Sequence, residues 1–376
     1  MKKLVFIINV DWFFTSHRLP IAIEAIKQGY EVHIITKITS KGAILENNGL
    51  IVHNLNFNRK GLGLYVLKEF FDIFRIIKTI NPHIVHLVTI KPVLLGGLAA
   101  RLAKVPAVVS AISGLGYMYS NSGMFIIIRH KIIEFFYQLA FNHSNQKIIF
   151  QNSTDKFKLN NTCKNISKKS FLIPGSGVDL SLYSEKKIEN HTVIIMMAAR
   201  LLKSKGVKEF IETAKIINKD KIIARFVLVG DIDLSNPESF TKKEIDHWRD
   251  ENFVEIWGYK DNMHNVIPMA DVVVFPSYYG EGLPKVLIEA AACGRPVITS
   301  DHPGCRDAII NNETGLLVSI KNVNEIVSAV NTLIQDPKLR IKMGKAARIL
   351  AEKKFSIDQV VSRHIKIYSN LLNKER

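Results

Sequence analysis

Cysteine is scarce in this chain, whose 376 residues include only Cys163, Cys293 and Cys305. Three widely separated cysteines are too few for a disulfide framework and too scattered for a zinc site. No apolar run reaches the roughly 18 residues that a membrane-spanning helix needs. The apolar run at residues 4–10 is short, ends at Asp11 and lacks a cleavage site, so it predicts a buried strand and not a signal peptide. These absences favour a cytoplasmic protein.

Acidic residues are fewer than basic residues: the chain has 34 Asp and Glu and 51 Lys and Arg, which gives a net charge of +17. Residues 1–183 hold 22 basic and 9 acidic residues, a surplus of +13, whereas the rest of the chain holds 29 and 25, a surplus of +4. A basic amino-terminal half points to an anionic partner such as membrane lipid, a pyrophosphate or nucleic acid. The alternative is a surface that only keeps the protein soluble. No recognised nucleic-acid-binding motif is present, so nucleic acid is not expected as a partner.

The length predicts two domains, because one hydrophobic core seldom serves so long a chain. Strands are predicted in the first half at residues 4–9, 31–36, 83–87, 107–111 and 147–150. The pattern breaks at residues 174–177, and the polar stretch 184–191 is predicted to be a linker. Alternation of strands and helices then restarts at residue 193.

Such alternation predicts an α/β fold made of two doubly wound parallel sheets. The predicted domains are residues 1–183 and 184–354. The last helix, in residues 355–376, is expected to pack back on the first domain. Ligands of such sheets bind beyond the carboxyl ends of the strands, so two domains facing each other would form a binding cleft.

The strongest local motif follows the predicted strand 272–275. A glycine-containing loop carries Glu281, and a helix is predicted to begin near Leu283. Glu289 lies two turns into that helix, on the face of Gly282 and Lys285. A helix start can hold a diphosphate, and two carboxylates at this spacing can bind separate sets of sugar hydroxyls. The alternative interpretation is a capping glutamate followed by a solvated one.

A second motif follows the predicted strand 193–197. Arg200 and Lys205 lie between the end of this strand and the next helix. Cations in this position suit a diphosphate leaving group, whose negative charge grows in the transition state. Taken alone, they could equally be solvated loop residues.

Together these motifs resemble glycosyltransferase family 4, whose members have the two-domain GT-B fold. The similarity covers nearly the whole chain and is most specific in its second half. By this resemblance, Glu281 contacts the transferred sugar, Glu289 binds the nucleotide ribose, and Arg200 and Lys205 hold the diphosphate. Further segments similar to the family's are residues 175–180, 227–230, 257–258 and 290–296.

The resemblance also implies how the donor is held. Gly258 and Tyr259 lie where the family places the nucleotide base. Gly282 and Leu283 supply backbone N–H groups to sugar or phosphate. The first domain then takes the acceptor and the second takes the nucleotide sugar.

The amino-terminal half departs from many relatives, which carry a Gly-Gly pair after the first strand and a histidine near residue 110. Here the first loop spans residues 10–20, and Gly114 and Gly116 follow the later strand. This departure is shared with the subgroup that builds capsule, O-antigen and lipid-linked oligosaccharides. Glycines after a strand let the backbone approach a ligand, so Gly114 and Gly116 are expected near the donor diphosphate. An ordinary tight turn is the alternative.

Four residues are candidates for contact with the acceptor: Asp11, His17, Arg18 and Lys91. His17 could equally cap a helix or lie in the core, and Lys91 could be a solvated loop residue.

No metal and no cofactor are expected. Asp231 and Asp233 spell the Asp-x-Asp motif that binds a metal in another glycosyltransferase fold, but they follow the predicted strand 225–229 in a loop that varies in family 4. The cations and helix starts described above would neutralise the leaving group.

The resemblance implies retaining transfer from a nucleotide sugar, favouring a UDP-sugar, to a saccharide on undecaprenyl diphosphate. An N-acetylhexosamine such as N-acetylgalactosamine, in α-1,3 linkage, is the expected donor sugar. A nucleotide-sugar 2-epimerase of the same fold is the alternative.

Two segments of the first domain, residues 62–80 and 124–141, combine cations with large apolar side chains. They predict a protein that is peripheral on the inner face of the bacterial cytoplasmic membrane. The alternative is that both helices turn their apolar faces inward to the sheet.

Overall fold

The structure is a computed structural model that describes residues 1–57, 64–116, 124–186, 191–219, 221, 223–234 and 236–373. The chain forms two compact units. The amino-terminal domain consists of Met1–Ser176 with Ile357–Arg376, and the carboxyl-terminal domain consists of Gly177–Ser356.

The described part of the amino-terminal domain contains a parallel sheet of seven strands in the order β3-β2-β1-β4-β5-β6-β7. The strands are β1 (Lys2–Val10), β2 (Tyr30–Lys37), β3 (Ile51–Asn54), β4 (Ile84–Val88), β5 (Ala107–Ile112), β6 (Gln146–Phe150) and β7 (Ser170–Leu172). Alternate residues of β1 enter two different cores, since Leu4 and Phe6 belong to one and Val5 and Ile7 to the other. A strand buried on both faces needs the continuous apolar run that the sequence shows.

Helices cover both faces of this sheet. They are α1 (Asp11–His17), α2 (Leu19–Lys27), α3 (Gly42–Asn47), α4 (Leu64–Ile80), α5 (Ile90–Leu102), α6 (Met124–Ala140) and α7 (Ser153–Thr162), with α14 (Ile357–Leu372) from the end of the chain. The predicted first loop is mostly helical, which corrects the sequence-based expectation. Pro20 lies in the first turn of α2, where a missing N–H costs no hydrogen bond.

The carboxyl-terminal domain repeats this architecture with six described parallel strands in the order β10-β9-β8-β11-β12-β13. They are β8 (Ile194–Ala198), β9 (Arg225–Val229), β10 (Glu255–Gly258), β11 (Val272–Phe275), β12 (Val297–Ser300) and β13 (Gly315–Val318). The helices are α8 (Val207–Ile217), α9 (Lys242–Glu251), α10 (Met263–Val266), α11 (Lys285–Ala292), α12 (Val323–Gln335) and α13 (Pro337–Lys354). The predicted doubly wound parallel sheets are confirmed in both domains. Strand β13 and helices α9, α10 and α12 were not predicted.

The strand order reverses direction between β1 and β4 in the first sheet and between β8 and β11 in the second. Loops that leave two such neighbouring strands diverge to opposite faces, which opens a crevice at the carboxyl edge of the sheet. Each domain therefore has one position where its chain topology favours a ligand.

The chain passes between the units at Ser176 and again after Ser356, whereas the sequence placed these boundaries at residues 183/184 and 354/355. The difference has a packing cause. Tyr183 is buried in the core of the carboxyl-terminal domain, and Arg295 donates a hydrogen bond to the Lys186 carbonyl at 2.7 Å. The polar stretch 184–191 therefore begins on the surface of that domain; its residues 187–190 lie outside the described part of the chain.

Helix α14 belongs to the core of the amino-terminal domain through a buried polar cluster. The Tyr368 hydroxyl lies 2.6 Å from His86 Nδ1, and the ring of His364 stacks on that of His86 at 5.6 Å. Arg18 is 1% exposed beside them. Burial lowers the pKa of Arg18 to about 10, and burial together with the Arg18 charge lowers the pKa of His364 to about 3. Both shifts follow from burial, which removes the two groups from water.

His364→Gln should weaken the dependence of stability on pH. The pKa of His364 rises from about 3 to its ordinary 6.5 on unfolding, so unfolding takes up a proton between these values. The stability that the neutral ring contributes is therefore present above pH 6.5 and is lost as the pH falls toward 3. Between pH 7 and pH 5 this site accounts for about 2 kcal/mol of the lost unfolding free energy.

Urea unfolding at the two pH values measures this loss, which should shrink by that amount in His364→Gln. The control is His247→Gln, because the His247 side chain is 69% exposed and should leave the wild-type pH dependence intact. An unchanged pH dependence in His364→Gln would contradict the burial of a neutral ring.

Candidate functional site

Two loops meet at the strand-order reversal of the carboxyl-terminal domain. Lys205 comes from the loop after β8 and Glu281 from the loop after β11, and their side chains form an ion pair while only 12% and 13% exposed. Ser277 Oγ donates a hydrogen bond to Glu281 Oε1 at 3.1 Å. The Lys205 ammonium also lies 5.1 Å from the centre of the Tyr279 ring, within the range of a cation–π contact. The structure thus brings the two sequence motifs into direct contact.

Glycines allow these loops to approach one another. At Gly206, where φ is +82°, an added Cβ would lie 2.4 Å from the Pro276 carbonyl oxygen. At Gly304, where φ is +84°, it would lie 2.5 Å from the Gly282 carbonyl oxygen. Both positions need a left-handed backbone and have no room for a side chain. The geometry of the site therefore depends on backbone packing as well as on its charges.

Glu289 lies inside α11 and is 6% exposed. Its Oε1 accepts a hydrogen bond from the Tyr183 hydroxyl at 2.9 Å and lies 3.4 Å from Lys285 Nζ. Burial raises the pKa of Glu289, although Lys285 and Tyr183 act in the opposite direction. Sequence reasoning missed Tyr183, because 106 residues separate it from its partner. The sequence feature nearest to Tyr183 was segment 175–180, which is similar to a segment of the family.

Arg200 lies beside the loop that carries the Asp-x-Asp motif. Its Nη1 is 2.8 Å from Asp233 Oδ2, and the arginine side chain is 42% exposed. Among the residues that the structure describes, no group of three or more His, Cys, Asp or Glu is arranged to hold a metal ion.

The start of α11 falls two residues later than predicted. The helix begins at Lys285, and Pro284 is its N-cap with extended backbone angles. Gly282 and Leu283 therefore lie in the loop before the helix, and the Leu283 side chain is buried. This placement keeps their backbone N–H groups close to the positive end of the helix dipole.

Gly258 ends β10 with φ of +69°, and its carbonyl oxygen accepts a hydrogen bond from the Gly230 N–H at 2.9 Å. The following residue, Tyr259, is 68% exposed. Both occupy the carboxyl edge of the sheet, on the β10 side of the loop after β8.

In the amino-terminal domain, Gly114 and Gly116 follow β5 with φ of +102° and +52°. Leu115 between them is buried. The left-handed angles explain the need for glycine, and the buried leucine anchors the turn. Tyr117, which ends the predicted loop motif, lies outside the described residues.

Asp11 is predicted to contact an acceptor, and its side chain is fully buried in the structure. Its Oδ2 accepts hydrogen bonds from the N–H groups of Thr39, Ser40 and Lys41 at 2.7–3.0 Å. Burial acts to raise the pKa of Asp11, but the hydrogen bonds from Thr39, Lys41 and Ser40 lower it overall. Asp11 therefore ties the start of α1 to the loop after β2.

Arg18 is likewise buried, against α14, and its predicted acceptor contact stays a prediction. His17 is half-buried and stacks on the Phe13 ring at 4.0 Å, with its Nδ1 3.1 Å from the Phe13 carbonyl oxygen. Its predicted acceptor contact stays a prediction.

Lys91 lies in the first turn of α5, directly after β4. Its Nζ pairs with Glu69 Oε2 of α4 at 2.5 Å. Glu69 also borders a cavity of about 190 Å³ at the carboxyl edge of the sheet. The cavity is lined by Leu55, Asn56, Tyr65, Lys68, Glu69 and Asp72. The ion pair thus joins α5, which follows β4, to α4, and the cavity lies between α4 and the loop after β3.

Each of the two domains matches a family model built from known proteins. Residues 183–350 match the family model of glycosyl transferases group 1, and residues 3–152 match the glycosyl transferase 4-like model. The N,N'-diacetylbacillosaminyl-diphospho-undecaprenol alpha-1,3-N-acetylgalactosaminyltransferase of Campylobacter jejuni is 32% identical over 372 residues, covering 94% of this chain and 95% of that protein. The UDP-Gal:alpha-D-GlcNAc-diphosphoundecaprenol alpha-1,3-galactosyltransferase of Escherichia coli is 26% identical, covering 81% and 80%.

Among solved structures, HepE of Anabaena in complex with UDP superposes with a TM-score of 0.78 at 17% identity, covering 98% of this chain and all of that one. The fold and the site define a glycosyltransferase of the GT-B class. The chain belongs to glycosyltransferase family 4, and the predicted family is thereby confirmed.

Gly206→Ala should disrupt the site far more than Gly29→Ala does. The two glycines have φ of +82° and +83°, so the backbone cost of alanine, about 1 kcal/mol, is the same. Nothing lies within 4 Å of an added Cβ at Gly29, whereas Gly206 meets Pro276. Relief of that clash displaces the neighbouring Lys205 from Glu281. Thermal unfolding and the transfer rate measure the effect, and equal behaviour of the two variants would contradict the described loop packing.

Proposed function

We propose that the protein transfers an N-acetylhexosamine, such as N-acetylgalactosamine, from its UDP-sugar to a saccharide on undecaprenyl diphosphate, with retention and in α-1,3 linkage. The observation that carries the proposal is the contact between Lys205 and Glu281 at the strand-order reversal, with Glu289 about one turn into the following helix. The activities for which the Campylobacter and Escherichia relatives are named support the lipid-linked acceptor and the linkage. The UDP bound to HepE supports the nucleotide.

The donor is bound by the carboxyl-terminal domain. Glu289 accepts hydrogen bonds from the ribose, and Gly258 and Tyr259 flank the base. Lys205 and Arg200 face the diphosphate. When the diphosphate arrives, it replaces Glu281 as the partner of Lys205, and the Glu281 carboxylate is released to the hydroxyls of the transferred sugar. The backbone N–H groups of Gly282 and Leu283 add to the positive end of α11.

Retention follows from attack on the face that the leaving group departs from. The acceptor hydroxyl gives its proton to an oxygen of the departing diphosphate as its own oxygen bonds to the anomeric carbon. No carboxylate of the enzyme forms a covalent intermediate. The protein contributes position and charge stabilisation, and its cations take the part that a metal would take.

The acceptor is bound by the amino-terminal domain, at the cavity beside the pair of Lys91 and Glu69. Carboxylates, an amide and a phenol line this cavity, and such groups exchange hydrogen bonds with sugar hydroxyls. The exposed cation Lys68 and the neighbouring Lys91 suit the diphosphate of the same acceptor.

Glu281→Gln should lower kcat by on the order of 10²-fold with little loss of UDP affinity, because a contact made to the reacting sugar acts in the transition state. Initial rates and calorimetric titration with UDP measure the two quantities, in buffer containing EDTA. The matched control is Glu313→Gln, which removes an exposed carboxylate of the same domain.

Equal losses of kcat and UDP affinity would assign Glu281 to nucleotide binding instead. Loss of wild-type activity in EDTA, restored by Mg²⁺ or Mn²⁺, would contradict metal independence. Conversion of the UDP-sugar to its 2-epimer without an acceptor would favour an epimerase.

The same reaction places the protein on an anionic membrane, because an acceptor with an undecaprenyl chain stays in the bilayer. Helices α4, α5 and α6 pack on one face of the amino-terminal sheet, since their buried residues share one core. The outer faces of α4 and α6 carry large apolar side chains that are 44–63% exposed, namely Tyr65, Leu67, Phe71, Ile132, Phe135 and Phe136. Lys68, Arg75 and Lys131 are exposed on the same two helices.

This combination suits an interface in which apolar groups enter the headgroup region and cations meet anionic lipid. Residues 62–63 and the side chains of residues 64 and 124–129, which belong to the predicted segments, lie outside the described part. Among the helices that are described, none is long and apolar enough to span a bilayer.

A triple variant reverses these three charges: Lys68→Glu, Arg75→Glu and Lys131→Glu. It should bind anionic vesicles at least about 100-fold more weakly, since each cation contributes roughly 1 kcal/mol. Co-sedimentation with phosphatidylglycerol vesicles at low and high salt measures the binding. The control reverses Lys338, Lys342 and Lys345, which are exposed on α13 and give the same change in net charge. If wild type ignores the vesicles at low salt, or if both triple variants lose binding equally, this face is not the docking surface.

A further inference from the structure

Glu289 is held by one of its two carboxylate oxygens. The Tyr183 hydroxyl donates to Oε1 at 2.9 Å, and Lys285 Nζ lies 3.4 Å from the same atom. Among the described residues, no hydrogen bond reaches Oε2. A carboxylate can accept about four hydrogen bonds, so the free oxygen is the one available to a ligand.

The backbone of Tyr183 is held by a hydrogen bond from helix α13. Arg348 of α13 donates to the Tyr183 carbonyl oxygen at 2.8 Å and to the Ala292 carbonyl oxygen at 2.6 Å. Ala292 is the last residue of α11, the helix that carries Glu289. The tyrosine is 8% exposed and belongs to the domain core. One arginine therefore joins the segment of Tyr183 to the helix of Glu289, which leaves the hydroxyl little freedom to move.

We propose that Tyr183 is a positioning residue for nucleotide binding, which holds Oε1 of Glu289 so that Oε2 is presented to the hydroxyls of the donor's ribose. This inference rests on the proposed function, in which Glu289 binds the ribose. The hydroxyl group of Tyr183 has no other hydrogen-bond partner among the described residues, so its position in the core is explained by this one contact.

The contact has a consequence for pH. A ribose hydroxyl donates to the ionised carboxylate, so protonation of Glu289 weakens nucleotide binding. Burial already raises the pKa of Glu289, and the Tyr183 hydroxyl opposes that effect. Without the hydroxyl the pKa rises further, and UDP affinity begins to fall at a higher pH as the solution is acidified.

The test is a double-mutant cycle on UDP binding with Tyr183→Phe, Glu289→Gln and the double variant, measured by calorimetry from pH 5 to pH 8. Phenylalanine keeps the buried ring, and circular dichroism and thermal unfolding verify the fold of each variant. Tyr183→Phe should weaken UDP binding about tenfold, the effect of one hydrogen bond to a charged group. It should raise the donor KM with kcat nearly unchanged, because the ribose is remote from the bond that breaks. In the Glu289→Gln background, Tyr183→Phe should have almost no further effect.

Tyr368→Phe is the control, since it removes a buried hydroxyl in the other domain and should leave UDP affinity and its pH profile unchanged. Additive losses in the cycle, or a Tyr183→Phe variant with wild-type UDP affinity and pH profile, would overturn the inference. If Glu289→Gln binds UDP as tightly as wild type, the assignment of Glu289 to the ribose fails and the inference fails with it. If Glu289→Gln loses affinity and Tyr183→Phe does not, the donor site stands and only the role of Tyr183 is wrong.

Discussion

The ion pair between Lys205 and Glu281 is the contact on which the arrangement of the donor loops depends. Both side chains are nearly removed from water, and a charge in such surroundings is costly unless an opposite charge or hydrogen bonds compensate it. The parallel sheet brings the loops of Lys205 and Glu281 together, because β8 and β11 are neighbours at the point where the strand order reverses. In the proposed transfer the diphosphate takes over Lys205, while the Glu281 carboxylate keeps its hydrogen bond from Ser277 and gains hydrogen bonds from the sugar hydroxyls. The proposed transfer begins from this exchange.

The two domains use their charges differently. In the carboxyl-terminal domain, Lys205 and Glu281 form a nearly buried pair at the strand ends, and Arg200 beside them stays partly exposed. In the amino-terminal domain, Asp11 and Arg18 are buried in the fold: Asp11 joins the start of α1 to the loop after β2, and Arg18 lies against α14. The surplus of basic residues in the first half is therefore not a direct count of ligand-binding groups. What remains exposed on α4 and α6 is the part available to an anionic surface.

Much of the fold and part of the site could be predicted from the sequence. Most strands of both sheets are continuous apolar runs, so the alternation of strands and helices and the two domains were predictable, whereas the short strands β3, β7 and β13 were not predicted. The loops after β8 and β11 were identifiable from glycines beside charged residues. The burial of Asp11 and Arg18 was not predicted, because a charged residue after a strand looks the same whether it meets a ligand or a distant backbone. The bond from Tyr183 to Glu289 left no local signal, since it joins residues 106 positions apart. Contacts of that kind arise from tertiary packing, which periodicity does not encode.

A crystal structure of the protein with UDP tests the central claim most directly. The account predicts UDP at the carboxyl edge of the second sheet, with ribose hydroxyls on Glu289 and the diphosphate against Lys205. Glu281 would then be separated from Lys205. UDP bound elsewhere, or bound here with the pair of Lys205 and Glu281 intact and Glu289 untouched, would contradict the account.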